Sequence, residues 1–171
     1  MQVFEDEEYG FVDFTEEFIQ KQSRLIADCY LLTFNKPIFD LQNDLSDLEF
    51  AKTLFFASGG ILSHDIVNGD NIYNYANLAA LKIFERSYQQ QTGIPSSKSA
   101  QEDNSPQRDR NNLLANCLFH GSAEVNTSRL TGKGRTVKIN NGELFNLANE
   151  RGIYSGQAIL IDPNKILYSP S

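Results

Sequence analysis

The segment that most constrains this chain is a pair of strand-like runs around Asn68-Gly69-Asp70. Ile61-Leu62-Ser63-His64-Asp65-Ile66-Val67 precedes the turn and Asn71-Ile72-Tyr73-Asn74-Tyr75 follows it. Asn and Gly tolerate the positive φ angles of a two-residue hairpin turn, so an antiparallel pair is expected here. The last third of the chain supplies more strands. Residues 123–129 read as one strand, and Thr131-Gly132-Lys133-Gly134 as a turn. Residues 136–147 form a long strand whose alternation breaks at Asn140-Asn141-Gly142, the mark of a bend or bulge. Residues 149–152 turn the chain into a final strand over 153–161, which Pro163 ends.

Helices precede and separate these strands. Asp13 with Glu16 reads as a capping box for a helix over about residues 14–34, with Phe18, Leu25, Ile26, Cys29 and Leu32 as its apolar stripe. Pro37 ends it. Ser46 with Glu49 opens a second helix carrying Leu48, Ala51, Leu54 and Phe55, until Ser58-Gly59-Gly60 breaks the pattern. Asn77 caps a third, with Leu78, Leu81 and Phe84 on one face. Ser87 with Gln90 opens a short fourth, closed by Gly93. Residues 95–105 are a polar loop, and Ser105-Pro106 starts a helix that carries Leu113, Leu114, Cys117 and Leu118 up to Gly121. This order predicts an α+β fold: a five-stranded antiparallel sheet with helices on one face, preceded by N-terminal helices. It resembles the topology of PAS-type sensor domains. The expected division is an acidic helical extension over 1–57, a PAS-like domain over 58–163 and a short tail over 164–171.

Charge narrows the partners. Residues 1–50 hold 12 acids and 3 bases, while residues 51–171 hold 10 acids and 12 bases. An acidic front end repels phosphate, so no direct nucleic-acid partner is expected. The acidic face is either a solvated helix surface or an arm that docks on a basic partner or on its own domain. No apolar run approaches the ~20 residues of a spanning helix, so no membrane segment is expected. The opening MQVFEDEEYG lacks the basic and apolar regions of a signal peptide. Cys29 and Cys117 are too few for a disulfide scaffold or a cysteine-built zinc site, which points to a reducing compartment, the cytoplasm.

Residues 62–161 resemble the MEKHLA domain, a family related to PAS domains. Leu62-Ser63-His64 is similar to the family's LSH. Ile72-Tyr73-Asn74-Tyr75-Ala76-Asn77, with Ala80-Leu81 and Phe84-Glu85, is similar to FNYxNxxALxxFE. Pro95-Ser96 with Ser99-Ala100 matches the PSxxSA loop. Arg129, Gly134-Arg135, Asn146, Gly152 and Gly156-Gln157-Ala158 match the closing run of RxxxxGRxF, WNL and GxxxGQA. Phe145 stands where the family commonly has tryptophan, Asp65 where it often has glycine, and Val137 in place of an aromatic. The resemblance implies a PAS-like sensory or interaction module with no enzymatic activity. It occurs alone in bacteria and at the C-terminus of plant homeodomain–leucine-zipper regulators, where it modulates dimerisation. This chain has no heptad zipper and no basic stripe, so DNA binding does not carry over.

A helix-on-sheet domain can enclose an apolar pocket with a few converging polar groups. The candidate ligand-binding residues are His64, Asn74, Asn77, Arg129, Asn146 and Gln157. Each has a structural alternative. Asn77 caps the next helix, Asn74 braces the turn into it, and Asn146 and Gln157 satisfy backbone groups. His64 reads a ligand, switches with pH, or is a satisfied structural histidine. Arg129 clamps a carboxylate or pairs with Glu124 or Glu143 at the surface. His120 suits the end of its helix. No catalytic residue, metal site or cofactor is assigned: two distant histidines make no metal site, haem has no support beyond its use in PAS relatives, and Gly132-Lys133-Gly134 lacks phosphate-loop spacing. Cys29 and Cys117 lie on apolar stripes and read as core.

Three functions follow. The leading one is a non-catalytic sensory module that binds a small molecule or a protein and signals through its N-terminal helix, with a homodimer through that helix as one version. The second is an interaction adaptor with a filled core and no ligand. The third is a small enzyme using His64 with Arg129, for which no nucleophile–base pair is visible.

Overall fold

The computed structural model describes residues 1–67, 70–95 and 121–170. A hairpin of β1 (Val3–Asp6) and β2 (Gly10–Asp13) opens the chain, followed by α1 (Glu17–Phe34), a 3-10 turn (Ile38–Asp40) and α2 (Asp47–Phe55). Then come β3 (Gly60–Val67), β4 (Asp70–Ala76), α3 (Leu78–Phe84) and α4 (Tyr88–Gln91). The final third is β5 (Ser122–Leu130), β6 (Thr136–Ala148), β7 (Tyr154–Ile161), a 3-10 turn (Pro163–Lys165) and β8 (Ile166–Tyr168). The Asn68-Gly69 turn, the polar loop beyond Pro95, and the helix assigned to residues 106–120, with Cys117 and His120, lie outside the described residues.

The fold is α+β, with a main antiparallel sheet in the order β4-β3-β7-β6-β5 and a separate two-stranded β1-β2 ribbon. The β3–β4 hairpin and the closing ribbons share that sheet because β3 pairs with β7 from Gly60↔Ile161 to His64↔Gln157. The sheet has six strands, not the five expected. β8 adds to β6 over Val137–Ile139, within what the sequence assigned to a tail. β6 is 13 residues long and holds β7 along its second half, which leaves its first half open to β8. A strand of three residues is too short for a periodicity reading to find.

Capping follows the sequence at three helices. Ser46 accepts from the Glu49 amide, Asn77 from the Ala80 amide, and Ser87 with Gln90 closes a reciprocal box. It departs at α1. The Asp13 carboxylate takes the amide and hydroxyl of Thr15, at 2.9 and 2.6 Å, instead of capping the helix, and α1 starts at Glu17. The buried face also differs: it is Ile19, Gln22, Ser23, Ile26, Cys29 and Tyr30, while Phe18 and Leu32 are 45% and 85% exposed. Polar residues turn inward because the sheet offers them partners. Gln22 donates to Ser63 Oγ at 3.0 Å, and Tyr30 donates to Glu143 at 2.9 Å. An apolar count alone therefore rotates the face away from its true direction.

Two features hold the sheet to its flanks. Gly156 on β7 has φ +116°, and a Cβ there would overlap the His64 carbonyl oxygen on β3. Only glycine lets the strands approach so closely. At the other end, Glu85 terminates α3 in the left-handed region and accepts from Arg135 Nε at 2.7 Å. The Arg135 guanidinium lies 3.9 Å over the Tyr168 ring, and Tyr168 donates to the Ile83 carbonyl at 2.6 Å. This ties α3 to the β5–β6 turn and to β8.

Two outcomes are expected. Gly156→Ala lowers stability by about 3 kcal/mol, combining a strained φ with a backbone clash. Urea denaturation checks it, and a loss under about 1 kcal/mol would show that β3 and β7 can part freely. The hydrogen bond from Arg135 holds the Glu85 carboxyl below its ordinary 4.5. A depressed folded-state value means that this contribution is present above about pH 4.5 and is lost as pH falls through the folded value. Glu85→Gln is expected to lower stability at neutral pH and to flatten the acid side of a thermal-stability profile.

Candidate functional site

Strand pairing places four polar or amphipathic side chains in one row across the sheet. His64 pairs with Tyr73 on one side and Gln157 on the other, and Gln157 pairs with Asn146. Gln157 Nε2 donates to Asn146 Oδ1 at 3.2 Å. The neighbouring row, Leu62, Ile159 and Leu144, is apolar. Alternation along β5 adds Val125, Thr127 and Arg129 to the same face, since positions two apart share a side of a strand.

This face carries a cavity of about 60 Å³, in which His64, Gln157, Arg129, Thr127 and Tyr73 supply the polar atoms and Leu62, Val125, Ile139 and Phe84 are part of the apolar wall. The volume lies well below the ~300 Å³ at which drug-sized ligand sites begin. It suits a small ligand or a few waters. His64, Gln157 and Arg129 are 5%, 1% and 9% exposed. Arg129 Nη1 donates to Thr127 Oγ1 at 2.6 Å and to the Ser128 carbonyl at 3.0 Å. The acids suggested as its surface partners are engaged elsewhere: Glu124 takes the Asn141 amide, and Glu143 points to the other face and takes Tyr30. The environment of Tyr30 is unfavourable to its phenolate. Burial, then Glu143, push its hydroxyl far above its ordinary value, so it stays a donor.

Three candidates sit outside the cavity lining: Asn146, which reaches it only through Gln157, and Asn77 and Asn74. Asn77 is fully buried and works as a structural staple. Its Oδ1 accepts from the Ile61 and Ala80 amides at 2.8 and 3.1 Å, and its Nδ2 donates to the Leu54 and Gly59 carbonyls at 3.1 and 2.8 Å. One side chain thereby joins α2, β3 and α3. Asn74 accepts from Ser63 Oγ at 2.6 Å, on the α1 side of the sheet. The reason is a register shift between Ser63 and His64: Ser63 faces Tyr75 and His64 faces Tyr73, so Asn74 is an extra residue on β4. Tyr73 therefore faces the cavity although Tyr75, two residues on, is fully buried on the other side.

The sequence reading missed Tyr73 and Thr127. Thr127 was accessible to it, because strand alternation puts it beside Arg129. Tyr73 was not, because strict alternation pairs it with Tyr75. Among the described residues, no group of three His, Cys, Asp or Glu side chains converges to hold a metal. The buried thiol of Cys29 sits against the backbone amide and carbonyl of Ala148, and burial raises it above its ordinary value. No helix of the described residues is long and apolar enough to cross a membrane.

The arrangement is that of PAS and LOV domains. The PAS domain of a protein from Colwellia psychrerythraea superposes with a TM-score of 0.54 at 14% identity, covering 66% of this chain and 92% of that one. The dark structure of the blue-light photoreceptor Aureochrome1 LOV gives 0.51 at 19% identity, covering 70% and 83%. The light-state dimer of the fungal blue-light photoreceptor Vivid gives 0.52 at 14%, covering 77% and 90%. At these identities the likeness is one of fold. No curated protein matches the chain. The MEKHLA domain profile matches residues 20–165, so it takes in most of α1, all of α2 and strands β3 to β7. With that match over most of its length and a PAS-like sheet beneath it, the chain belongs to the MEKHLA domain family.

Proposed function

We propose that this chain is a non-catalytic, cytoplasmic regulatory module that binds a small molecule or a protein partner and signals through α1. The observation that carries the proposal is the two-sided use of adjacent residues. His64 faces the cavity, and its neighbour Ser63 faces α1, where it receives Gln22 at 3.0 Å and donates to Asn74 at 2.6 Å. Likewise Asn146 lies in the His64–Gln157 row, while its neighbour Phe145 packs edge-on against Tyr30 of α1 with ring centroids 5.4 Å apart. A small movement of β3 or β6 at the cavity reaches α1 in one residue. The mechanism is a shift in population between two ways of seating α1 on the sheet. The candidate ligand contacts are His64, Arg129, Gln157 and Asn146, with Tyr73 and Thr127; Asn74 acts on the α1 side, and Asn77 holds the elements together.

The small cavity favours a second reading, an adaptor whose core is filled and whose surface does the work. Exposed Phe18 and Leu32 on α1 support a version of either reading in which the helix meets a second copy. Vivid in its light state is a dimer, which supports that version by analogy of fold alone.

Native mass spectrometry and a thermal-shift screen against a metabolite panel separate the readings. A bound small molecule or a raised Tm is expected; a uniformly unresponsive, ligand-free protein favours the adaptor. For any compound that raises Tm, hydrogen exchange in α1 is expected to change, and Gln22→Ala is expected to weaken that response while costing about 1–2 kcal/mol. Unchanged exchange in α1 on binding would remove the signalling route. Light scattering after size exclusion tests the second copy, and a strict monomer at high concentration would exclude it.

A further inference from the structure

Arg86 and Gln91 occupy the junction of α3, α4 and the end of β5. Arg86 Nη1 donates to Gln91 Oε1 at 3.4 Å, and Nη2 donates to the Leu130 carbonyl at 3.3 Å. Both acceptors are neutral and both contacts are long. Among the described residues no carboxylate pairs with Arg86, whereas Arg135 has Glu85 at 2.7 Å and Arg24 has Asp47 at 3.1 Å. Burial pulls the Arg86 guanidinium below its ordinary value, and nearby Tyr73 pulls the other way. A partly buried cation with no acid carries an uncompensated desolvation cost.

Gln91 makes an independent case. It is fully buried, and its Nε2 has no hydrogen-bond partner among the described residues. Turning the amide over does not help, because its N–H groups would then face the guanidinium, which is itself a donor. Nε2 and Oε1 share one amide carbon, so the unused N–H lies beside the guanidinium. Two donors, one of them charged, thus stand together without an anionic acceptor among the described residues. A carboxylate satisfies both, since it can accept from a guanidinium and an amide at once.

We propose that Arg86 and Gln91 anchor the carboxylate of a small organic acid whose apolar part runs past Tyr73 and Phe84 into the cavity. This rests on the pocket reading above and names its ligand class. Neither anchor residue lines the cavity, and Tyr73 is the link: it lines the cavity, and its backbone is bonded to Gly93 and Ile94, just past Gln91, at 2.8 and 3.0 Å. Phe84, two residues before Arg86, lines the cavity as well.

The test uses the full ¹⁵N-labelled chain titrated with propionate and, separately, with propionamide of the same shape. Propionate is expected to shift the Arg86 Nε–H and Gln91 side-chain amide signals saturably, and propionamide to bind at least about tenfold more weakly. Arg86→Lys is expected to weaken propionate at least about tenfold, and Arg86→Gln to abolish its effect. The comparison of the two probes on the unaltered protein needs no variant to fold. Equal shifts from both probes, or no movement of these two signals with propionate, overturn the carboxylate anchor. An uncharged compound bound in the cavity beside a silent propionate leaves the pocket reading standing. Silence from every compound removes both.

Discussion

The pairing of β3 with β7 supports everything else in this molecule. It joins a hairpin near residue 65 to a ribbon near residue 158, and it makes one sheet from segments separated by most of the domain. Such non-local pairing gains nothing until a long loop has closed, so it needs strong local reasons to form in one register. Gly156 supplies one, by letting the β7 backbone close onto the His64 carbonyl. Asn77 supplies another, by holding the start of β3 to α2 and α3 through four hydrogen bonds of its buried side chain. A buried amide with every polar atom satisfied specifies an arrangement that an apolar side chain of equal size would leave loose.

That register gives the sheet two different faces. Ser63 and Phe145 share one row through Ala158 and meet α1, while His64, Gln157 and Asn146 share the next row and face the other way. The α1 interface is partly polar, with Gln22, Ser23 and Tyr30 buried beside Ile19 and Ile26. Interfaces of this kind depend on direction, because a hydrogen bond is lost by a small rotation that an apolar contact tolerates. Gln22–Ser63 and Tyr30–Glu143 therefore fix the direction in which the helix sits on the strands beneath it.

The candidate site is partly legible in the residues alone. His64, Gln157, Asn146 and Arg129 are visible as polar residues on strands of alternating pattern, and the sheet brings the first three into one row. Asn77 announces itself as a cap and proves to be more, since its amide also reaches two carbonyls outside its own helix. Tyr73 stays hidden because the extra residue at Asn74 reverses the alternation within β4. Gln91 and Arg86 stay hidden for another reason: a glutamine and an arginine beside short helices read as surface, and only packing shows that one is sealed in and that the other faces no acid among the described residues.

The residues by themselves determined the α+β class, the hairpin around residue 68, the caps at Ser46, Asn77 and Ser87, and the glycines that permit close turns. Each is a local matter of backbone freedom or hydrogen bonding within a few positions. Tertiary structure decided the sixth strand, the face of α1 that is buried, the reversal at Asn74 and the meeting of His64, Gln157 and Arg129 around one cavity. These depend on partners far along the chain, and burial of a polar group follows from the partner it finds, not from its own residue type.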